Sequence, residues 1–268
     1  MIYLLILFAL SILGLLYMRF EAGFVQVTHV KFTKNTKHLK VIQLSDIHID
    51  HLKVSSSKVK KVINKVKPDF ILLTGDYINR PFHIPNFLKF LDEIVGLAPM
   101  YLCLGNHDYK AFLDNDEGLN DYINLIAARG VTILHNTSVC FEKNAKKYNI
   151  IGFADIRYSH QDIEGTLEKI HKDVYKNIAI SHNPDIILNM HRNCVDYLFC
   201  GHFHGGQIWL PFNLEFKTLR DEKLCRIGIT RGLHTINGIK LYINRGLGSV
   251  LFPFRFMSRP EITVIYLP

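Results

Sequence analysis

Two histidines two positions apart, His202 and His204, follow the apolar run 195–200 and precede Gly205-Gly206. The run reads as a short buried strand and the glycines as a tight loop beyond its end. Residues i and i+2 of an extended chain share a face, about 6.6 Å apart along it. Two imidazoles so placed can point at one ion or at two neighbouring ions. A second pair with the same spacing, Asp46 and His48, follows the apolar run 41–45. Asp76 follows 70–74, Asn106-His107-Asp108 follows 100–104, and His182 follows 178–181. Taken singly, each has a plain structural explanation, such as an Asp turn or cap after a strand. Taken together, five strand ends carry seven oxygen or nitrogen donors, and chance explains that poorly.

The set suits a two-metal site, where cations sit about 3.5–4 Å apart. Two dications at that distance repel, so an anionic bridge is needed, and a carboxylate such as Asp76 can supply it. Mixed His, Asp and Asn donors without thiolate favour Mn, Fe or Zn over Ca or a structural Cys site. Such ions bring a bound water near neutral pKa and clamp phosphoryl oxygens as charge develops.

The elements that must position these groups follow from the same pattern. Strands are expected at 24–32 (at a sheet edge), 41–45, 70–74, 100–104, 131–134, 138–142, 149–153, 178–181 and 195–200. Three more are expected at 224–229, 239–243 and 261–267. Helices are expected at 55–66, 85–95, 118–129 and 163–171, with a short one from Pro184. The order predicts a layered α/β fold. Loops at the carboxyl ends of its strands are where such folds build sites.

The chain has 268 residues, enough for one large domain. Residues 1–20 are expected to be a membrane anchor and 21–268 one soluble domain. The run from Ile2 to Met18 is apolar and uncharged, with no basic residue before it and a poor cleavage site near Ala22-Gly23, which favours an uncleaved anchor. Arg19, Lys31, Lys34, Lys37 and Lys40 all follow it, which places the catalytic domain in the cytoplasm by the positive-inside rule. A net charge of +8 suits an anionic partner. No nucleic-acid motif is present, so no nucleic acid is expected. Five cysteines fit no zinc or disulfide pattern and read as small buried hydrophobes.

Asp46-x-His48, Gly75-Asp76, Gly105-Asn106-His107-Asp108, His182 and Gly201-His202-x-His204 resemble the five blocks of the calcineurin-like metallophosphoesterases. Gly205-Gly206-Gln207, Asn244-Arg245-Gly246-Leu247-Gly248 and Arg259-Pro260-Glu261 resemble its membrane-anchored YkuE/YaeI-type branch. The third block ends in Asp108 rather than Glu. The resemblance implies a four-layer α/β/β/α sandwich and two divalent metal ions. One ion would take Asp46, His48, Asp76 and His204. The other would share Asp76 and take Asn106, His182 and His202. His107 would protonate the leaving oxygen, with Asp108 orienting it.

The expected activity is hydrolysis of a phosphodiester or pyrophosphate, in a phosphorylated small molecule or a lipid-linked substrate such as a UDP-linked acylated sugar. The alternatives are a phosphodiesterase on a soluble substrate, with the anchor only an address, and a nonenzymatic scaffold. Two apolar stretches, Phe82 with Phe87, Leu88, Phe90 and Leu91, and the segment 247–256, could serve core packing, membrane contact or an acyl pocket. Arg80, Arg157, Arg231 and Arg245 are candidate phosphate partners.

Overall fold

The computed structural model describes residues 1–34 and 39–268, with Asn213 described by its backbone alone. Lys37, counted above among the basic residues after the apolar run, lies outside the described residues.

The first helix, α1 (Ile2–Glu21), is apolar and long enough to cross a membrane, and it is exposed along most of its length. Strands β1 (Gln26–Lys31), β2 (Leu39–Leu44), β3 (Phe70–Thr74), β4 (Met100–Cys103) and β5 (Val131–Ile133) belong to one sheet. The next six, β6 (Thr137–Lys143), β7 (Lys146–Gly152), β8 (Lys176–Ile180), β9 (Tyr197–Cys200), β10 (Gly232–Ile236) and β11 (Ile239–Ile243), form a second. The last strand, β12 (Glu261–Leu267), returns to the first sheet between β1 and β2, parallel to one and antiparallel to the other. The expected edge position of the first strand is observed.

Helices α2 (Ser56–Val66), α3 (Ile84–Asp92), α4 (Asn106–Lys110) and α5 (Asp116–Ala127) follow strands of the first sheet. In the second half, α6 (Ile163–Glu168), α7 (Leu214–Leu219) and α8 (Lys223–Arg226) are shorter. The side-chain γ-oxygen of Ser55 caps α2 by accepting from Lys58 N at 3.4 Å, and Asn115 caps α5 by accepting from Gly118 N at 2.9 Å. Such caps contribute about 1 kcal/mol each.

Three cores stack the layers. Ile42, Leu44, Ile71 and Leu73 of the first sheet pack on Val59, Ile63, Phe87 and Tyr122 of the helices. Val41, Phe70, Leu72 and Tyr101 pack on Ile150, Ile178, Phe199 and Tyr242 of the second sheet. Ile151, Ala179, Leu198 and Ile243 pack outward on Ile186, Phe216 and Leu224. The order helices, sheet, sheet, helices is therefore the four-layer sandwich expected. Burial on both faces explains why the central parallel strands read as continuous apolar runs rather than alternating ones. Gln43 joins the two sheets beneath their carboxyl ends: its Nε2 donates to Thr74 Oγ1 at 3.1 Å and to Cys200 O at 2.9 Å.

Helices α4 and α7 were not expected from the sequence, and two further elements depart from it. Residues 224–229, expected as a strand, instead begin with α8. The Asp185 carboxylate accepts from Lys223 N at 2.6 Å and Leu224 N at 3.0 Å, holding the first turn. Leu224 and Cys225 are both buried, a consecutive pair that a helix can place beside α7 and its neighbours. Strand β10 was not foreseen, although Asn237-Gly238 is a strong two-residue hairpin signal and both residues adopt positive φ (52° and 75°).

Candidate metal centre

β2, β3 and β4 pair in parallel, and so do β8 and β9, so their carboxyl ends gather at one edge of the sandwich. Leu44 lies opposite Leu73, Thr74 opposite Cys103, and Ile180 opposite Phe199. The chain then turns sharply. Asp46, His48, Asp76, His202 and His204 all adopt positive φ, between 37° and 73°. Each such non-glycine residue costs on the order of 1–3 kcal/mol and persists only where its surroundings hold it. Here Asp46 N donates to Gly75 O at 2.9 Å, His48 N to Asp76 O at 3.0 Å, and Gly248 N to Asp46 O at 2.7 Å. A Cβ at Gly105 would collide with the Asp76 carboxylate, so glycine is what lets the third loop approach the second.

These turns sort the donors into two buried groups. Ligand atoms of Asp46, His48 and His204 lie within 4.8 Å of one another, and so do those of Asp76, His182 and His202. The two histidines of the His202-x-His204 pair thus serve different groups, which the left-handed backbone at both positions permits. Asp76 Oδ2 is 3.6 Å from His48 Nε2 and 3.1 Å from His182 Nε2, facing both groups. Asn106 Oδ1 joins the second at 3.0 Å from His182 Nε2. His107 N donates to Asp76 Oδ1 at 2.8 Å, and its ring stands edge-on to His48 with centroids 4.9 Å apart.

The outer hydrogen bonds choose which ring nitrogen faces inward. His48 Nδ1 meets Asn79 Oδ1 at 3.1 Å, and Asn79 in turn donates to both oxygens of Asp50 at 2.8 Å. That leaves His48 Nε2 buried with no hydrogen-bond partner among the described residues. His182 Nδ1 donates to Thr74 O at 2.8 Å, and His202 Nε2 donates to Glu222 Oε1 at 2.6 Å. Burial lowers the pKa of His48 to about 4 and of His202 to about 3, and pushes His204 well below its usual value. These are neutral imidazoles with a free lone pair. An orphaned buried nitrogen, two buried carboxylates and no thiolate in either group are what a pair of divalent cations needs, and the residues present fit them.

His182 differs. Burial alone would lower its pKa, but the Asp76 and Asp46 carboxylates outweigh burial and raise it to about 10. In metal-free protein at pH 7 a proton therefore occupies the place a cation would take. Loading metal-stripped protein at pH 7 should release about one proton per chain from this group. Because the proton competes with the cation, affinity should rise with pH. Asp46, raised to about 6 chiefly by burial, takes up a second proton only as pH falls below that value. A pH-indicator titration in weak buffer reads both effects, and cation uptake at pH 7 without proton release would contradict them.

Asp108 does not face the His107 ring. It is fully buried, and its carboxylate accepts from Asp76 N and Gly105 N, each at 2.9 Å, Tyr77 N at 3.0 Å and Ile78 N at 3.2 Å. Its place is behind the loops, tying the second to the third, and the expectation that it orients the His107 side chain is corrected accordingly.

Beside the two groups opens a cleft of ≈ 400 Å³, lined in part by His107, Lys110, Arg157, Arg220, Leu219 and Leu251. Of the four arginines singled out in the sequence, Arg157 lines it and pairs with Glu222 at 2.7 Å. Arg245 instead pairs with Glu261 at 3.2 Å, and Arg231 donates to Met257 O at 3.3 Å. Phe87, Leu88, Phe90 and Leu91 are buried under the first sheet, so that stretch is core and not an acyl pocket; Phe82 is exposed.

Sequence reasoning missed Arg220 and Glu222, and it saw Arg255 only as the basic residue of the apolar segment 247–256. Arg220 and Glu222 sit in the charged run 220–223, which looks like any solvated face. Arg255 is wholly buried beneath His204. Its guanidinium donates to the carbonyls of Gly248, Arg245 (2.9 Å), Ser258 (2.9 Å) and Gly246 (3.3 Å). Arg255→Met would leave the carbonyls of Gly248, Arg245 and Ser258 without this donor, at a cost of about 3 kcal/mol. Thermal unfolding should fall by on the order of 6–12 °C, and an unchanged midpoint would refute this account.

Two stacked sheets whose loop ends bring seven oxygen and nitrogen donors together beside a cleft point to a dinuclear metallohydrolase centre. The chain belongs to the calcineurin-like phosphoesterase family, whose model matches residues 39–206. It is 33% identical over 230 residues to YkoQ, an uncharacterized metallophosphoesterase of Bacillus subtilis (strain 168), covering 85% of this chain and 83% of that one. It is 27% identical to the phosphodiesterase YaeI of Escherichia coli (strain K12), covering 88% and 84%. It is 28% identical to the UDP-2,3-diacylglucosamine pyrophosphatase LpxG of Chlamydia trachomatis, covering 91% and 90%. Among solved structures, the Thermus thermophilus sulfate thiohydrolase SoxB shares the fold, with a TM-score of 0.51 at 9% identity over 88% of this chain and 57% of that one.

Proposed function

We propose that this phosphoesterase hydrolyses a phosphodiester or pyrophosphate bond in an amphiphilic substrate, from a site held at a membrane by α1. The observation that carries the reading is the cleft itself. Donor residues of both groups and His107 line it, and so do Lys110, Arg157 and Arg220, the two arginines paired with Glu222, and apolar Leu219 and Leu251. Such a surface suits an anionic phosphoryl group attached to an apolar tail. YaeI is named a phosphodiesterase and LpxG a pyrophosphatase of a diacylated UDP-sugar, which supports the same bond types.

In this reading Asp46, His48 and His204 hold one cation, Asn106, His182 and His202 hold the other, and Asp76 serves both. Mn, Fe or Zn suits these donors. When bound, the pair supplies a water near neutral pKa and neutralises charge on the phosphoryl oxygens. Arg220 and Arg157 orient the anionic group. His107 protonates the departing oxygen. Asp108 and the glycine turns keep the loops in register.

Residues 1–20 act as an uncleaved anchor, with residues 21–268 as the catalytic domain in the cytoplasm. The buried carboxylate of Glu21 supports retention of the helix: it accepts from Met257 N at 3.1 Å and Ser258 N at 2.9 Å. Cleavage after Ala22 would strip these amides of their partner.

The test uses detergent-solubilised full chain, stripped and reloaded with Mn, Fe, Zn or Mg. It compares an aryl phosphodiester, an aryl phosphomonoester and a UDP-linked acylated sugar. Metal-dependent turnover of the acylated sugar well above the aryl diester is the expected result. Turnover of the aryl diester alone would favour a soluble substrate, and no turnover with any metal would leave a nonenzymatic scaffold.

A further inference from the structure

The last turn of α1 packs on the segment 255–258, close in the chain to residues that line the cleft. Met18 O accepts from Arg255 N at 3.1 Å, the Tyr17 ring meets Phe256 edge-on at 6.1 Å, and Glu21 caps the amides of Met257 and Ser258. The same segment continues to the cleft. Phe256 N donates to Gln207 O and Trp209 N to Phe256 O, both at 2.9 Å. Gln207 Nε2 donates to Val250 O at 3.0 Å, and Val250 and Leu251 line the cleft. A path of hydrogen bonds, its last step made by the Gln207 side chain, thus runs from the root of the helix to the mouth of the site.

Four large apolar side chains of the segments 210–219 and 250–257 are exposed, and two of them, Leu219 and Leu251, meet at the cleft. Phe212 is 81% exposed, Leu219 80%, Leu251 75% and Phe252 65%. Exposed apolar groups gathered on one face mark a surface that is covered in use. Around the helix root lie Arg19, Arg259, whose Nε donates to Phe24 O at 3.0 Å, and Lys58, whose Nζ donates to Gly23 O at 3.3 Å. An apolar face edged by basic residues beside an apolar helix is the pattern of interfacial seating on lipid.

We propose that the segments 210–219 and 250–257 form a second membrane contact. They dip into the same bilayer as α1 and hold the cleft mouth at headgroup depth. A phosphoryl group would then enter the cleft sideways while its apolar tail stays in the lipid. This rests on the reading of α1 as an anchor and of the substrate as an amphiphile. The lipid is favoured over a protein partner because the face is continuous with the helix that would already be in it.

Trp209 is the single tryptophan, so a clean fluorescent probe is available. In a Trp209→Phe background, full-length protein carrying Phe252→Trp would be reconstituted into phosphatidylethanolamine–phosphatidylglycerol vesicles. Lipids brominated at shallow or deep acyl positions serve as quenchers. Strong quenching by shallow bromines and weak quenching by deep ones is expected. Fluorescence equal to that in unbrominated vesicles would overturn the proposal and leave the face to a protein partner. Phe8→Trp in the same background reports the helix separately: quenching at position 252 without quenching at 8 would keep the docking face and sink the anchor. The reading uses no turnover, so it fails or stands independently of the activity assigned above. As a second measurement, Phe212→Asp with Phe252→Asp should lower hydrolysis of a vesicle-embedded amphiphilic diester about tenfold while leaving a soluble aryl diester unchanged. Equal rates on both substrates would also count against the face.

Discussion

Asp76→Ala is expected to lower turnover by about 10³-fold or more and to reduce bound metal below two ions per chain, read by elemental analysis of purified protein. The expected size follows from how many tasks one side chain performs. Asp76 Oδ2 faces His48 and His182, one from each donor group, and Oδ1 accepts the backbone amide of His107. Removing it would take from both donor groups the carboxylate that faces them, leave any bound cations without that negative charge, and free the loop that carries His107. Asp76→Asn divides these effects, because the amide oxygen still accepts from His107 N while the charge is lost. It should keep the fold and lose metal. Wild-type turnover by a protein that has lost metal in either variant would defeat the dinuclear mechanism.

His107→Ala should leave metal content intact and lower kcat by about 10²–10⁴-fold, the range for general acid catalysis. The ring lies beside both donor groups without joining either, and it lines the cleft. A proton donor matters most when the leaving oxygen is basic. The loss should therefore be large for an alkyl diester and small for a nitrophenyl diester, whose leaving group departs without help. A uniform loss across leaving groups would give His107 a binding role instead.

Much of this architecture was legible in the chain. The strands that end in ligand loops are short apolar runs buried on both faces, and the donors stand immediately after them. Their convergence could be read because parallel strands share one carboxyl edge. The local backbone was not legible. An extended chain would put His202 and His204 on one face, whereas positive φ at both sends them to different groups. The partners that aim the rings come from distant segments: Asn79 for His48, Glu222 for His202, and the buried Arg255 beneath His204. No period or spacing announces such pairs. Asp108 is similar, since its neighbour in sequence suggested its target while its carboxylate reaches across to residues 76–78. The region 224–229 was misread because its apolar residues fit a strand until Asp185 supplies a helix cap from elsewhere.

The position of β12 has a consequence for synthesis. It is the last strand in chain order, yet it lies between β1 and β2 and is the strand that β1 pairs with in the sheet. Until β12 is made, the sheet that bears Asp46, Asp76 and Asn106 has a gap in it. The nascent domain stays open along that seam until the seven residues of β12 emerge and close it. A chain truncated before Glu261 should be a substrate for proteases and not an enzyme.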